Sequence, residues 1–152
     1  MVFVAALLIG VVAGLRAMTA PAAVSWAAHL GWIDLSSSWL AFLGYTWTPW
    51  VLTLLALSEF VTDQLPSTPS RKVPVQFGAR IATGALCGLA LGTAGGAPIV
   101  GLVSGVVGSV MGTLGGAAAR ARLATAFGRD LPAALVEDAG AVALALVAVR
   151  LL

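Results

Sequence analysis

Charged residues are scarce in this sequence. Lys, Arg, Asp and Glu together make up 9 % of its 152 residues, whereas soluble domains contain about a quarter. Hydrophobic residues make up 60 % of the chain, so too few polar residues remain to cover a core with a water-facing surface. This composition excludes a soluble globular enzyme, a disordered tail and a nucleic-acid-binding protein, and it predicts an integral membrane protein. The net charge of +2 implies no polyanionic partner.

Cysteine and histidine are almost absent as well. The single cysteine, Cys87, excludes an internal disulfide framework, and the single histidine, His29, gives no basis for a zinc site. The sequence contains no Cys/His metal spacing, no nucleophile–base pair and no glycine-rich phosphate or dinucleotide loop. We therefore predict neither an enzymatic activity nor an organic cofactor.

The N-terminal apolar region is broken. Residues 2–15 are apolar but short for a membrane span, and Arg16 interrupts them. Thr19 and Pro21 then have the residue types that begin a helix, which is expected to run to about His29. We predict two half-length helices in a broken or re-entrant pair, and one kinked long span is the alternative.

The remaining apolar stretches complete an all-α, polytopic transmembrane helix bundle. We expect four to six helical segments in a single membrane domain over residues 1–152. The helices after the N-terminal pair are predicted at about 48–64, 75–95, 99–120 and 130–150. An internal repeat of 1–72 and 75–152 is a further hypothesis, because the segments 14–21 and 92–98 resemble each other.

Aromatic and basic residues predict the orientation. An aromatic belt at one membrane face is indicated by Trp26, Trp32, Trp39, Tyr45, Trp47 and Trp50. The polar loops expected at 65–76 and 120–130 lie on the opposite side and contain Arg71, Lys72, Arg120, Arg122 and Arg129. Because Lys and Arg in short loops stay in the cytoplasm, both loops are predicted to be cytoplasmic and the tryptophan face to be outside.

Glycines recur at helical spacing in two of the predicted helices. They are Gly84, Gly88, Gly92 and Gly96 in the first, and Gly101, Gly105, Gly108, Gly112 and Gly116 in the second. Such faces let two backbones approach closely, so we predict tight packing of neighbouring helices inside one subunit, with a sliding or dimer surface as the alternative. The small size of the bundle further predicts a homodimer or higher homo-oligomer among membrane lipids.

Six charges are predicted to lie at membrane depth, where each needs a partner or a wet cavity. Glu59 and Glu137 each lie six residues from a predicted cytoplasmic loop, about 9 Å along a helix. Asp63 shares a helix face with Glu59, and Asp138 follows Glu137. Arg16 and Arg80 are the counter-charges; the other eight charges, Arg120 among them, are expected in loops or at chain ends.

Three interpretations of this cluster remain open. It is structural if the two arginines hold the four acids in register. It is a cation or proton site if the acids Glu59, Asp63, Glu137 and Asp138 act as ligands or proton carriers, with Mg²⁺, Ca²⁺ or Mn²⁺ as candidate divalent cations. It is an anion or phospholipid-headgroup site if Arg16 and the helix start at Thr19 bind a phosphate or carboxylate.

Three motifs in this order resemble a known family. They are Gly14-Leu15-Arg16-Ala17-Met18-Thr19-Ala20-Pro21-Ala22, Glu59-Phe60-Val61-Thr62-Asp63-Gln64-Leu65-Pro66 and Pro69-Ser70-Arg71. The family consists of small bacterial integral membrane proteins and is known only as a domain of unknown function. The resemblance implies a protein of the bacterial inner membrane and no particular activity.

We predict from these observations a small transporter or channel for a cation or proton that uses the buried Glu/Asp/Arg cluster. The alternative is a non-transporting, lipid-binding or scaffold membrane protein in which the cluster is structural.

Overall fold

The computed structural model describes residues 1–65, 70 and 72–152, and every regular element in that part of the chain is helical. Its helices are α1 (Val2–Leu15), α2 (Thr19–His29), a 3-10 helix (Trp39–Gly44), α3 (Thr48–Thr62), α4 (Pro74–Ala94), α5 (Pro98–Phe127) and α6 (Asp130–Arg150). By length and composition, α4, α5 and α6 are able to cross a membrane, while α1 and α3 are apolar but shorter. The predicted all-α class is confirmed, with three candidate spans.

Glycines bring α4 and α5 into backbone contact. Gly88 of α4 lies against Gly101 and Gly105 of α5, and Gly84 lies against Ser109. A methyl group on Gly105 would collide with the carbonyl oxygen of Gly84, so this approach needs a residue without a side chain. Because the residue numbers fall along α4 as they rise along α5, the two helices are antiparallel.

The same glycine-rich helix also packs against α1. Gly10 lies against Gly105, Gly14 lies against Gly112, and Gly108 contacts the backbone of α1. Residue numbers rise together in α1 and α5, so these two helices run in parallel. The prediction that the glycine faces pack helices inside one subunit is therefore confirmed.

The C-terminal part of α5 corrects the sequence prediction. The predicted helix 99–120 continues to Phe127, so the expected loop 120–130 shrinks to the two residues between α5 and α6. Residues 121–127 contain no glycine or proline that would end a helix. The helix ends only at Gly128, whose φ of 67° is readily available to glycine.

The two N-terminal helices run in opposite directions along α6. Val2, at the start of α1, lies against Gly95, and Leu152 at the end of the chain lies beside the same glycine. Trp32, just after α2, is stacked against the guanidinium of Arg150 at 3.8 Å. The break between the two helices lies instead beside Asp138, twelve residues and about 18 Å earlier along α6. The break predicted at Arg16 is therefore present, and its position brings Arg16 into the bundle.

The aromatic region after α2 packs around the 3-10 helix. The Ser25 hydroxyl donates a hydrogen bond to the Leu43 carbonyl, which joins α2 to this segment. Trp26 packs edge-on against Trp50, with 5.0 Å between the ring centroids. Trp47 is 77 % exposed.

Candidate functional site

Arg16 occupies the break between α1 and α2 and is fully buried. Its backbone is extended, with φ −142° and ψ 111°, so its side chain leaves the axis of α1 toward α3 and α6. The guanidinium pairs with Asp63, just past the end of α3, and with Asp138 of α6. A carboxylate oxygen of Glu137 lies 3.8 Å from its Nη2 atom. One cation therefore bridges acids from two separate regions of the fold.

Glu59 satisfies the α2 side of the break. Its two carboxylate oxygens accept hydrogen bonds from the backbone N–H groups of Ala17 and Met18, each at 2.8 Å. A negative charge at this position also complements the positive end of the α2 dipole. These N–H groups lie where an anion site was predicted beside Arg16 and Thr19, and in this structure Glu59 fills that position.

Arg80 satisfies the opposite side of the break. Its Nη1 atom donates to the carbonyl oxygens of Gly14 and Leu15, at 2.9 and 2.8 Å, which lie at the C-terminal end of α1. Its Nη2 atom lies 3.7 Å from Glu59 and 3.9 Å from Asp63. A cation beside the last carbonyls complements the negative end of the helix dipole.

Arg120 is the residue of this site that the sequence analysis missed. It was expected in a loop, but α5 continues past it, and its side chain reaches back into the cluster. It donates to both oxygens of Asp130 and, over 3.4 Å, to the carboxylate of Glu137 and the carbonyl of Asp63. Residues 112, 116 and 120 are spaced by four, so Arg120 shares the inward face of α5 with Gly112 and Gly116.

The structure thus brings together all six residues that the sequence predicted for the site and adds a seventh. We call this set the ion network: Arg16, Glu59, Asp63, Arg80, Arg120, Glu137 and Asp138. His29 lies elsewhere, with Nδ1 3.2 Å from the carbonyl oxygen of Gly44, and Cys87 is buried in α4.

The acids of the network differ from Arg16 in accessibility. The side chains of Glu59, Asp63 and Asp138 retain 12–15 % of their exposure, while that of Arg16 retains none. Guanidinium groups lie between the carboxylates. Within the described ranges, no three Asp, Glu, His or Cys side chains converge in an arrangement that suits a metal ion. The network therefore offers partly accessible carboxylates that each face an internal cation.

Comparison with known proteins identifies a family but no activity. Residues 3–151 match a family described as a domain of unknown function (DUF4126). This confirms the resemblance that the sequence motifs indicated. No curated protein and no solved structure matches the chain.

Proposed function

We propose a function from the geometry of the ion network, because the chain belongs to the DUF4126 family and the description of that family names no activity. The protein is a small membrane transporter or channel for protons, and Arg16 is the internal cation that closes it. The observation that carries this proposal is the fully buried Arg16 guanidinium, held at a helix break between Asp63 and Asp138.

A proton entering the network has only the carboxylates as acceptors. A guanidinium stays charged at any relevant pH, so Arg16 and Arg80 cannot take part in proton exchange. Protonation of Asp63 or Asp138 would remove one of the two charge-assisted contacts that hold Arg16. The partial exposure of these two acids supports them as the entry point.

The helix break is the part of the fold suited to move. Transporters often place their sites at discontinuous helices, where helix ends face ions or substrates. Here Glu59 and Arg80 occupy the two helix ends at the break, and Arg16 lies between them. In this proposal the described structure is the closed state, and release of Arg16 lets the break shift along α6.

The expected cation is a proton rather than a divalent ion. Mg²⁺ and Ca²⁺ need six or more oxygen ligands around one point, whereas the guanidinium of Arg16 occupies the space between Asp63 and Asp138. A proton needs a single carboxylate. The assignment of the four acids as metal ligands stays a prediction. Adding Mg²⁺ or Mn²⁺ to vesicles that contain the protein tests it.

We place the bundle in the bacterial inner membrane as a multi-pass protein. α4 and α6 each contain 21 residues, or roughly 31 Å, which matches a hydrocarbon core of about 30 Å. α1 and α2 form a re-entrant hairpin that enters from outside. The opposite end carries Lys72, Arg122 and Arg129, which supports a cytoplasmic position for that end. All seven residues of the network come from one chain, so the expected homo-oligomer is not required for the site.

Proton flux into vesicles tests the proposal. The protein is reconstituted into liposomes that contain a pH-sensitive dye, and a potassium diffusion potential drives protons inward. Asp63→Asn and Asp138→Asn should each lower the flux to that of protein-free vesicles, because an amide cannot carry the proton. Asp34→Asn is the matched control. Asp34 is exposed outside the network, and hydrogen bonds from Ser36 hold its pKa below the usual range, so it stays ionised and its loss should leave the flux unchanged.

A second function is favoured because every acid of the ion network is paired. Each acid of the network has a partner among the described residues, and both helix ends at the break are satisfied. This is what a structural lock in a non-transporting scaffold or lipid-binding protein requires. Under that function, the wild-type protein shows no flux, and Asp63→Asn and Asp138→Asn only lower the thermal unfolding temperature. Flux that persists in both folded variants would contradict the proton pathway.

A further inference from the structure

Arg120 lies at the end of the ion network that faces the turn between α5 and α6. Its Nε and Nη2 atoms donate to the two carboxylate oxygens of Asp130, at 3.1 and 2.8 Å. Its Nη1 atom lies 3.4 Å from Oε2 of Glu137, and the same oxygen lies 3.8 Å from Nη2 of Arg16. One guanidinium therefore connects an acid at the rim of the bundle to the acid beside the internal cation.

Exposure to solvent falls along this row of charges. The side chain of Asp130 is 61 % exposed, that of Arg120 15 %, that of Glu137 6 % and that of Arg16 0 %. Asp130 and Glu137 are seven residues apart, so they share one face of α6 with two helical turns, roughly 10 Å, between them. Arg120 therefore covers the route from water to Glu137.

The acids on the two sides of Arg120 hold it in different ways. Asp130 makes a bidentate contact, but an ion pair with an exposed partner contributes little stability because water replaces that partner readily. Glu137 and Asp63 attract the guanidinium from inside the bundle, and their contacts with it are longer, at 3.4 Å. Movement of Arg120 between an outer and an inner position therefore requires little free energy.

We propose that Arg120 is the gate of the ion network at this end and that Asp130 and Glu137 compete for it. When Arg120 is drawn toward Glu137, it shields the network from water. When it is drawn toward Asp130, water reaches Glu137 and the acids around Arg16. This inference rests on the proposed proton pathway, to which it adds a second regulating cation.

Alkylation of a cysteine between the two acids tests the gate without requiring transport. Ala134 is fully buried on the same face of α6, between Asp130 and Glu137. Ala134→Cys is made in a Cys87→Ala background, and mass spectrometry follows its reaction with iodoacetamide, which is small and uncharged. Arg120→Gln should raise the rate about tenfold, because the covering group is shorter and uncharged. Asp130→Asn should lower the rate about threefold, because only the inner acids then attract Arg120.

These opposite directions distinguish a gate from an ion pair that only holds α5 to α6. Loss of either partner of a structural pair would loosen the contact and raise the rate in both variants. The direct effects of charge on the thiol oppose both expectations, because a nearby cation favours the reactive thiolate and a nearby acid disfavours it. Any result other than a rise in Arg120→Gln and a fall in Asp130→Asn would overturn the proposal.

Three further variants locate the effect. Arg122→Gln removes an exposed cation two residues along α5 and should leave the rate unchanged. Ala141→Cys lies one turn deeper than Glu137 in the packed core and should stay unreactive in every folded variant. If Arg120→Gln unfolds, Arg120→Lys replaces it. A lysine has no planar fork to engage both acids at once, so this variant should also raise the rate.

Proton flux into the dye-loaded liposomes separates the gate from the proposed function. Arg120→Gln should raise the flux, and Asp130→Asn should lower it. Wild-type flux that Asp63→Asn abolishes, with thiol rates that neither gate variant changes, contradicts the gate and leaves the proton pathway intact. If the wild-type protein shows no flux, the proton pathway is contradicted, and the thiol rates still decide whether Arg120 controls access to Glu137.

Discussion

Arg16 shows at the scale of one residue how a charge is kept inside an apolar bundle. A buried guanidinium is costly unless carboxylates surround it and satisfy its donors. Asp63 and Asp138 provide these contacts from two directions, and the Phe60 ring lies 5.9 Å from the guanidinium carbon. A lysine at this position would carry the charge but not the planar fork that engages two acids at once.

Gly105 provides a test of packing at the same scale. Gly105→Ala should lower the free energy of unfolding by about 1–3 kcal/mol, because the new methyl group meets the carbonyl oxygen of Gly84 and overpacks the contact. Thermal unfolding in detergent, followed by circular dichroism, measures the change.

Gly115 is the matched control in the same helix. In the part of the chain that the structure describes, no atom of another helix lies within 4 Å of the position that its Cβ would take. Gly115→Ala should therefore be neutral or raise stability by roughly 0.4–1 kcal/mol through the lower entropy of the unfolded chain. Equal effects of the two substitutions would contradict the role of the glycine face in backbone contact.

The break between α1 and α2 is the element on which the site depends. A helix end buried inside a membrane protein leaves backbone groups that no water can satisfy. Here one acid serves the N–H groups of Ala17 and Met18, and one arginine serves the carbonyls of Gly14 and Leu15. Side chains of α3 and α4 therefore stabilise a break that α1 and α2 alone would not maintain.

Arg80→Gln tests whether Arg80 stabilises the break between α1 and α2. The shorter amide cannot serve both carbonyls and has no charge, so the break should open more often. Hydrogen exchange at the amides of Ala17 and Met18 should become roughly tenfold faster or more, as measured by mass spectrometry in detergent. Arg122→Gln, at an exposed position of α5, is the control and should leave exchange at the break unchanged. Unaltered exchange in Arg80→Gln would show that Glu59 holds the break without Arg80.

The two ends of the whole molecule differ in chemistry. One end holds the exposed tryptophans, the turn at Gly95 and the last residues of α6. The other end holds Lys72, Arg122 and Arg129 and lies about 10 Å from the ion network along α6. This asymmetry is the basis for the proposed orientation across the membrane. The internal repeat suggested by the two similar segments stays a prediction.

Cysteine accessibility tests the orientation. Cys87 is buried and is first replaced by Ala. In that background, Ser37→Cys, in the exposed segment before the 3-10 helix, should react with a membrane-impermeant maleimide in intact spheroplasts. Ser70→Cys, beyond the end of α3, should react only after permeabilisation. Labelling of both positions from the same side would overturn the topology.

Much of this architecture follows from the sequence. The scarcity of charge determines the membrane class, and Arg16, Thr19 and Pro21 predict that one helix ends and another begins near residue 16. Distance along each helix also predicts that Glu59 and Glu137 lie at one level, because the rise per residue is fixed. These properties depend on local sequence and on the solvent that each segment requires.

The partners of these residues were decided only by the tertiary structure. A position along a helix gives its depth but not the direction of its side chain relative to helices distant in sequence. Arg120 joins the network because α5 continues as a helix to Phe127 and packs its glycine face against α1 and α4. Likewise, the pairing of Arg16 with Asp63 and Asp138 depends on how α2 lies between α3 and α6. The contacts that make a site arise between elements, so no single segment of the sequence contains them.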